Sequence, residues 1–275
     1  MNLEANNNMK AGKITALILT VIMVTASLSG CGKSGKENGS ASEKMTVTVA
    51  AAASLKNVFE NELIPAFNCK FPNITIVGVY DSSGKLQTQI EEGLEADIFF
   101  SAAMKQMNAL NDEGKIESST INKLLENKIV LITGTDAGEA QLNSFTDIVN
   151  ADTIAIGDPE SVPAGQYAKE AFTSLGIWDK VIAKASLGTN VTEVLTWVAE
   201  GSAAAGVVYA TDAASQPKVK VIAEAPEGSL EKPVIYPVAQ VAGSKHASGA
   251  GELLKFLAGD EAAAIFEKYG FSVNK

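Results

Sequence analysis

The sequence predicts an α/β fold, in which strands and helices alternate along most of the chain. Short runs rich in Val, Ile and Ala recur, and this composition is typical of strands buried on both faces. Most of these runs are followed by a longer segment with apolar residues at helical spacing, and Gly, Pro, Ser, Asp and Asn lie between them. Together these observations indicate mixed, mostly parallel sheets flanked by helices.

The expected strands share a nearly continuous apolar run. In chain order they are 45–51, 74–80, 96–101, 128–133, 153–157, 206–209, 219–223 and 234–241. The expected helices share an apolar stripe, as Leu55, Phe59 and Leu63 form in the first of them. In chain order they are 54–67, 85–93, 104–113, 163–175, 191–200, 250–257 and 261–269.

The N-terminal residues 1–30 have the features of a signal peptide that is removed. Two lysines precede the apolar run 14–24, which is shorter than the roughly 20 residues of a membrane-spanning helix. The run leads to the sequence LSGC, which resembles the lipobox of bacterial lipoproteins and implies acylation of Cys31. An ordinary secretory signal with an unmodified cysteine is the alternative. Residues 31–44 consist mainly of Gly, Ser, Lys, Glu and Asn, so they predict the lipidated cysteine and a flexible linker.

The charge of the chain argues against a nucleic-acid partner. Its formal net charge is −10 at pH 7, and all 22 basic residues are lysine. An acidic surface also disfavours attachment to anionic lipid through basic patches.

Residues that could carry catalysis are few. The sequence lacks the G-x-S-x-G, H-E-x-x-H and dinucleotide glycine motifs. The single histidine, His246, lies in a polar stretch and is expected to be a solvated loop residue. Asp97, Asp158 and Asp212 lie near strand ends, where caps and turns explain them more simply than acid–base chemistry. Cys69 lies between two phenylalanines and is expected to be a small buried hydrophobe.

Four expected junctions between strands and helices carry small, neutral residues rich in hydrogen-bonding groups. They are 50–55, 81–85, 162–165 and 189–191. Ligands of such sheets bind where strands end and helices begin, and helix N-termini offer unpaired N–H donors to anions. Because the chain has no arginine, neutral donors must hold any anion here, and they favour a compact, fully ionised oxyanion. The alternative is that the hydroxyls and Asn190 only cap their helices.

Six stretches resemble the molybdate-binding proteins of ABC importers, and the resemblance covers essentially all of residues 45–275. The stretches are VAAAASL (49–55), SSGKL (82–86), ADIFFSA (96–102), GDPESVPAGQYAKEA (157–171), GVVY (206–209) and IFEKYGF (265–271).

The resemblance implies a two-lobed periplasmic binding protein of type II. Each lobe would hold a mixed, mostly parallel sheet flanked by helices, with the ligand in the cleft between the lobes. The first lobe would comprise residues 45–127 plus 236–275, and the second residues 128–235.

The function implied is that of an extracytoplasmic solute-binding protein that captures molybdate or tungstate. It would be a monomer without cofactor or catalysis, anchored to the cell membrane by its lipid, and would deliver the ligand to a permease driven by an ATPase. A receptor for another tetrahedral oxyanion, such as sulfate or phosphate, is the alternative on the same fold. An enzyme and a structural or adhesive lipoprotein are alternatives of other classes.

The same resemblance implies the site residues. In the family, two serine hydroxyls, backbone N–H groups and a tyrosine hydroxyl hold the oxyanion, and no protein atom bonds directly to the metal. The matching positions are Ser54, Ser83, Ala164, Val191 and Tyr209. Without the resemblance, Tyr209 would be interpreted as a half-buried aromatic residue of a strand.

Overall fold

The computed structural model describes residues 44–136 and 142–274. The expected signal peptide, the lipidation site Cys31 and the linker up to residue 43 lie outside the described residues. None of the helices in the described ranges is long and apolar enough to cross a membrane.

Eleven strands occur in the described part of the chain. They are β1 (Met45–Ala52), β2 (Ile74–Asp81), β3 (Ile98–Phe100), β4 (Asn122–Asn127), β5 (Ile129–Gly134), β6 (Ile154–Gly157), β7 (Ala185–Gly188), β8 (Ala205–Tyr209), β9 (Val219–Glu224), β10 (Val234–Gln240) and β11 (Ser272–Val273).

The α-helices of the same ranges are mostly short. They are α1 (Lys56–Val58), α2 (Ile64–Lys70), α3 (Ser83–Glu91), α4 (Met104–Asp112), α5 (Pro163–Ser174), α6 (Trp178–Ile182), α7 (Val191–Ala199), α8 (Ala210–Ala214), α9 (Ala247–Leu257) and α10 (Asp260–Lys268). A 3₁₀ turn (Ala53–Leu55) precedes α1, and a π-helical segment (Phe59–Leu63) joins α1 to α2.

All eight strands and seven helices expected from the sequence are present, with ends shifted by a few residues. Three strands, β4, β7 and β11, and two short helices, α6 and α8, were not predicted. The reason is visible in β4, whose sequence NKLLEN contains only two apolar residues, and in β11, which has two residues. Neither strand contains an apolar segment long enough for the alternating pattern of a strand to be recognised.

Cys69 is exposed, so the expectation of a buried thiol is wrong. It lies in α2 two residues after Phe67, which is fully buried. Residues two apart in a helix point to nearly opposite sides, so the helix that buries Phe67 turns Cys69 to solvent.

The strands form two mixed sheets. Strands in the order β11-β4-β10-β3-β1-β2 build a six-stranded sheet, and strands in the order β7-β6-β8-β5-β9 build a five-stranded sheet. The chain therefore passes between the sheets twice, as the fold class requires. Four of the nine strand pairs are parallel, fewer than expected, because β10 runs antiparallel to β3 and β4, and β5 runs antiparallel to β8 and β9.

Two glycines bring the start of α5 directly against the end of β6. A Cβ added at Gly165 would lie 2.0 Å from the carbonyl oxygen of Gly157, and one at Gly157 would lie 2.5 Å from Cγ1 of Val162. Neither glycine has a positive φ, so the requirement comes from close approach rather than from backbone conformation. The first turn of α5 can therefore rest on the strand end with its N–H groups uncovered.

Replacing Gly165 with alanine is expected to lower the free energy of unfolding by about 1–3 kcal/mol, because the backbone of Gly157 must move to admit the methyl group. The matched control is Gly251→Ala in α9, where an added Cβ meets no atom within 4 Å. Urea unfolding of both variants measures the difference. If Gly165→Ala were as stable as the control, the close packing would not constrain this position.

Candidate functional site

All five residues predicted for the site line one small cavity. Its wall includes Ser54 and Ser83, which follow strands of the six-stranded sheet, and Ala164, Val191 and Tyr209, which belong to the five-stranded side. The cavity volume is about 10 Å³, on the order of one water-sized sphere. The other wall residues are Ala, Val, Pro and Ser, so no described side chain in the wall is charged.

Ser83 keeps its hydroxyl proton available to the cavity. The residue is fully buried, and its Oγ accepts a hydrogen bond of 2.9 Å from the backbone N–H of Ala102. Because this bond occupies the oxygen as an acceptor, the hydroxyl proton must point elsewhere. The neighbouring Ser82 has a different task, since its Oγ caps α3 by accepting from the N–H of Lys85 at 3.4 Å.

Ser54 is oriented by a short chain of polar groups. Its Oγ lies 3.0 Å from Oη of Tyr236, and that Oη lies 3.4 Å from Nδ2 of Asn127. Oδ1 of Asn127 accepts from the N–H of Lys128, so the amide presents its donor side to Tyr236. Tyr236 accepts from Asn127, and either hydroxyl of the Ser54–Tyr236 pair can donate to the other, so this chain holds the Ser54 hydroxyl at the edge of the cavity.

Tyr209 offers a buried hydroxyl whose Oη lies near Tyr236 but makes no well-formed hydrogen bond within the described ranges. The side chain is 1% exposed, so it is not the half-buried aromatic residue considered as an alternative. Burial raises the pKa of Tyr209 well above its usual value, so the hydroxyl keeps its proton. Leaving a buried hydroxyl unpaired costs about 1–3 kcal/mol, so this group calls for an acceptor in the cavity, such as a water molecule or a ligand.

Ala164 and Val191 contribute backbone N–H groups. Ala164 is the second residue of α5 and Val191 the first residue of α7. N–H groups in a first helical turn have no acceptor within their own helix, and both helix dipoles direct partial positive charge to these ends. Asn190 caps α7 by accepting from the N–H of Glu193 at 3.0 Å, so the cap interpretation of this residue is confirmed.

Asp81 lies next to the serines but is not part of the cavity wall. Its Oδ1 accepts from the N–H of Ser82 at 2.8 Å and lies 3.5 Å from Nζ of Lys85. The lysine therefore compensates the charge of Asp81 outside the site.

Asp212 is a buried carboxyl group directly behind Tyr209. Its Oδ2 accepts from the N–H of Tyr209 at 3.3 Å, and it lines a neighbouring cavity of about 60 Å³ that also includes Ser54. Burial raises the pKa of Asp212 from 3.8 to about 7. The carboxyl group therefore holds its proton through most of the acidic range.

Tyr236 and Asn127 were not identified from the sequence as parts of the site. Asn127 ends β4, and Tyr236 lies in β10 beside a bulge at Pro237, which has no N–H to donate to the sheet. A polar residue at a strand end and a tyrosine before a proline are common in proteins, so neither feature indicates a binding site by itself. Only the pairing of β4 with β10 brings the two side chains behind Ser54.

A larger cavity of about 400 Å³ lies at the opposite end of β1 and contains His246. His246 lies in a turn and its side chain is 41% exposed, as expected for a solvated loop residue, and its Nδ1 also lies 3.3 Å from Oδ2 of Asp97. Asp97 also accepts from the N–H of Thr48 at 2.7 Å and from Oγ of Ser244 at 2.6 Å. Because Ser244 donates to the carboxylate and not to the imidazole, the group joins loops and does not form a nucleophile–base pair.

The two mixed sheets, joined by two chain passages, define a two-lobed α/β binding protein of the periplasmic type II class. The sequence matches the bacterial extracellular solute-binding protein family over residues 47–272, so the chain belongs to that family.

Several relatives carry more specific names. The molybdate-binding protein ModA of Escherichia coli strain K12 is 38% identical over 232 residues, which cover 82% of this chain and 89% of that protein. A Bacillus subtilis protein described as a candidate substrate-binding lipoprotein of an ABC transporter is 41% identical and covers 92% of this chain and 96% of its own. A solved substrate-binding domain of a candidate molybdenum ABC transporter from Clostridium difficile has a TM-score of 0.65 at 34% identity, and covers 84% of this chain and 100% of that one.

Asp212→Asn is expected to change how stability depends on pH. Because the folded state holds the proton of Asp212 more tightly than the unfolded chain, this carboxyl group stabilises the wild type fully below pH 3.8. That contribution is lost as the pH rises towards about 7, at up to about 1.4 kcal/mol per pH unit. The wild type should therefore lose stability relative to the variant between these values, and above them the difference should level off.

Urea unfolding of both proteins at steps between pH 4 and pH 8 measures this difference. A constant difference across the range would show that Asp212 ionises normally in the folded protein.

Proposed function

We propose that this protein captures molybdate, or the closely similar tungstate, outside the cytoplasm and delivers it to an ABC permease. The observation that carries the proposal is the convergence of five uncharged donor groups, from both sheets, on one small cavity. The names of the ModA relatives and of the Clostridium difficile domain support the same ligand. In this proposal Ser54, Ser83 and Tyr209 donate through hydroxyls, and Ala164 and Val191 donate through backbone N–H groups.

The chemistry of the wall indicates what the ligand must be. Hydrogen bonds to a charged group contribute about 1.5–3 kcal/mol each, so several neutral donors can hold a dianion without a salt bridge. A ligand that keeps a proton, such as hydrogen phosphate, needs an acceptor, and the charged Asp81 beside the site is committed to Ser82 and Lys85. The cavity is far smaller than pockets for drug-sized ligands, which are about 300–1,000 Å³, so it favours a compact ligand of few atoms.

The ligand would join two lobes, residues 45–127 plus 236–275 and residues 128–235. Only the closed arrangement brings the donors of both lobes to one anion, so binding favours closure. Molybdenum would be held through its oxygen atoms, without direct bonds to the protein and without a resident cofactor.

We further propose a monomeric, non-catalytic protein, held at the cell membrane by a lipid on Cys31. The family of extracellular solute-binding proteins and the lipoprotein name of the Bacillus subtilis relative support this placement.

Thermal unfolding with a panel of oxyanions tests the proposal. A ligand raises the melting temperature according to its concentration divided by its dissociation constant. Molybdate and tungstate should each raise it strongly at micromolar concentration, and sulfate, phosphate and vanadate should raise it much less. A larger shift with sulfate would assign the protein to the alternative oxyanion, and no shift with any anion would favour a structural lipoprotein. Consumption of a ligand in the same samples would indicate an enzyme.

Ser83→Ala is expected to weaken molybdate binding by about 1–3 kcal/mol, the range for losing a hydrogen bond to a charged group. The control is Asp158→Asn, which should leave the affinity within about tenfold if Asp158 only shapes its turn. The structure supports that role, because Oδ1 of Asp158 accepts from the N–H of Glu160 at 3.0 Å. Isothermal titration calorimetry measures both, and an unchanged dissociation constant for Ser83→Ala would remove this serine from the site.

Tyr209→Phe is expected to separate stability from binding. Because its Oη makes no well-formed hydrogen bond among the described residues, removing it should leave the ligand-free melting temperature unchanged or higher. Molybdate affinity should fall by about 1.5–3 kcal/mol. The matched control is Tyr236→Phe, which removes hydrogen bonds to Ser54 and Asn127 and should lower the ligand-free stability. Loss of stability in Tyr209→Phe with unchanged affinity would show that this hydroxyl serves the fold.

A further inference from the structure

Gly84 lies where the two sides of the cavity meet backbone to backbone. It is the second residue of α3, directly after Ser83, and its N–H donates to the carbonyl oxygen of Ser161 at 2.9 Å. Ser161 belongs to the loop between β6 and α5, which leads to Ala164. This hydrogen bond therefore joins the six-stranded side to the five-stranded side beside two of the proposed ligand donors.

The contact leaves no space for a side chain at Gly84. An added Cβ would lie 2.4 Å from the carbonyl oxygen and 2.7 Å from Cα of Ser161. Gly84 has no positive φ, so its own backbone conformation does not require glycine. A glycine within a helix is less stable than alanine by about 0.5–1 kcal/mol, so the close approach explains the residue better than the helix does.

Within the described ranges, three other hydrogen bonds join the two sides, and all of them use side chains. Nδ2 of Asn190 donates to Oδ1 of Asp81 at 3.4 Å, Nε2 of Gln106 donates to Oε1 of Gln166 at 3.1 Å, and Nδ2 of Asn127 donates to Oγ1 of Thr211 at 2.9 Å. Side chains can change rotamer as the gap widens. The backbone contact at Gly84 cannot adjust in this way, so it limits how closely the two sides approach.

We propose that Gly84 is a positioning residue that sets the spacing between Ser83 and Ala164. This spacing determines whether donors on both sides of the cavity can reach one small ligand. The identity of that ligand rests on the proposed function. A Cβ at this position must retreat by about 1 Å to reach an ordinary contact of 3.4 Å. Hydrogen bonds weaken steeply beyond about 3.2 Å, so the donors of one side would then lose the ligand.

Calorimetry with molybdate on Gly84→Ala tests this inference. We expect a dissociation constant at least tenfold higher than in the wild type, with a ligand-free melting temperature that is unchanged, because the sides can separate without unfolding. Gly251→Ala and Ser161→Ala are matched controls that should bind normally, since the first adds a methyl group in open space and the second leaves the backbone contact intact. Normal affinity in Gly84→Ala, or an equal loss in the controls, would overturn the inference.

A distance measurement separates this inference from the proposed function. Spin labels at Thr88→Cys in α3 and Lys180→Cys in α6, both exposed, report the separation of the two sides in a background with both native cysteines replaced, Cys31→Ser and Cys69→Ser. With saturating molybdate, the label-to-label distance in the wild-type background should match the distance expected from this structure. In the Gly84→Ala background the distance should be longer.

If the wild type binds no molybdate, the proposed function fails, and the ligand-free distances then decide the inference alone. A longer separation in Gly84→Ala than in the wild type supports it, and identical distributions overturn it.

Discussion

The gathering of uncharged hydrogen-bonding groups from both sheets around one small cavity is the constraint on which the rest of this structure depends. Ser83 is oriented by the N–H of Ala102, Ser54 by Tyr236, and Tyr209 by its packing alone. In the proposed function, an anion would meet these groups already in place, so little ordering would be needed on binding. The proposed site would thus hold a negative ligand in an acidic protein without arginine.

Much of the fold could be predicted from the sequence because its main strands are apolar and its helices periodic. The strand–helix junctions were visible as small neutral residues, and the stretch 157–171 carried the family resemblance. The support behind Ser54 was not visible, because Asn127 and Tyr236 are far apart in sequence and meet only through the pairing of β4 with β10. Strand β4 also lacks an apolar run, so its sequence alone does not identify it as a strand.

Glycine has two distinct tasks around the cavity, and neither concerns backbone conformation. Gly165 allows α5 to rest on β6 within the five-stranded side, which uncovers the N–H groups of its first turn. Gly84 faces Ser161 across the gap between the sides. The sequence shows only that these positions have no side chain. Which atom occupies the space of the missing side chain depends on tertiary contacts, and therefore the structure was needed to distinguish the two tasks.

The position of β10 has a consequence for how the protein reaches its location. In the described chain, β4 pairs only with β10 and β11, both of which are made last. A nascent chain therefore cannot complete its six-stranded sheet while the ribosome still holds the C-terminal segment, because long-range strand pairing must wait for its partner. This delay leaves the part of the chain that builds the six-stranded sheet open until late in synthesis, and an open chain is the form that a secretion channel can thread across a membrane.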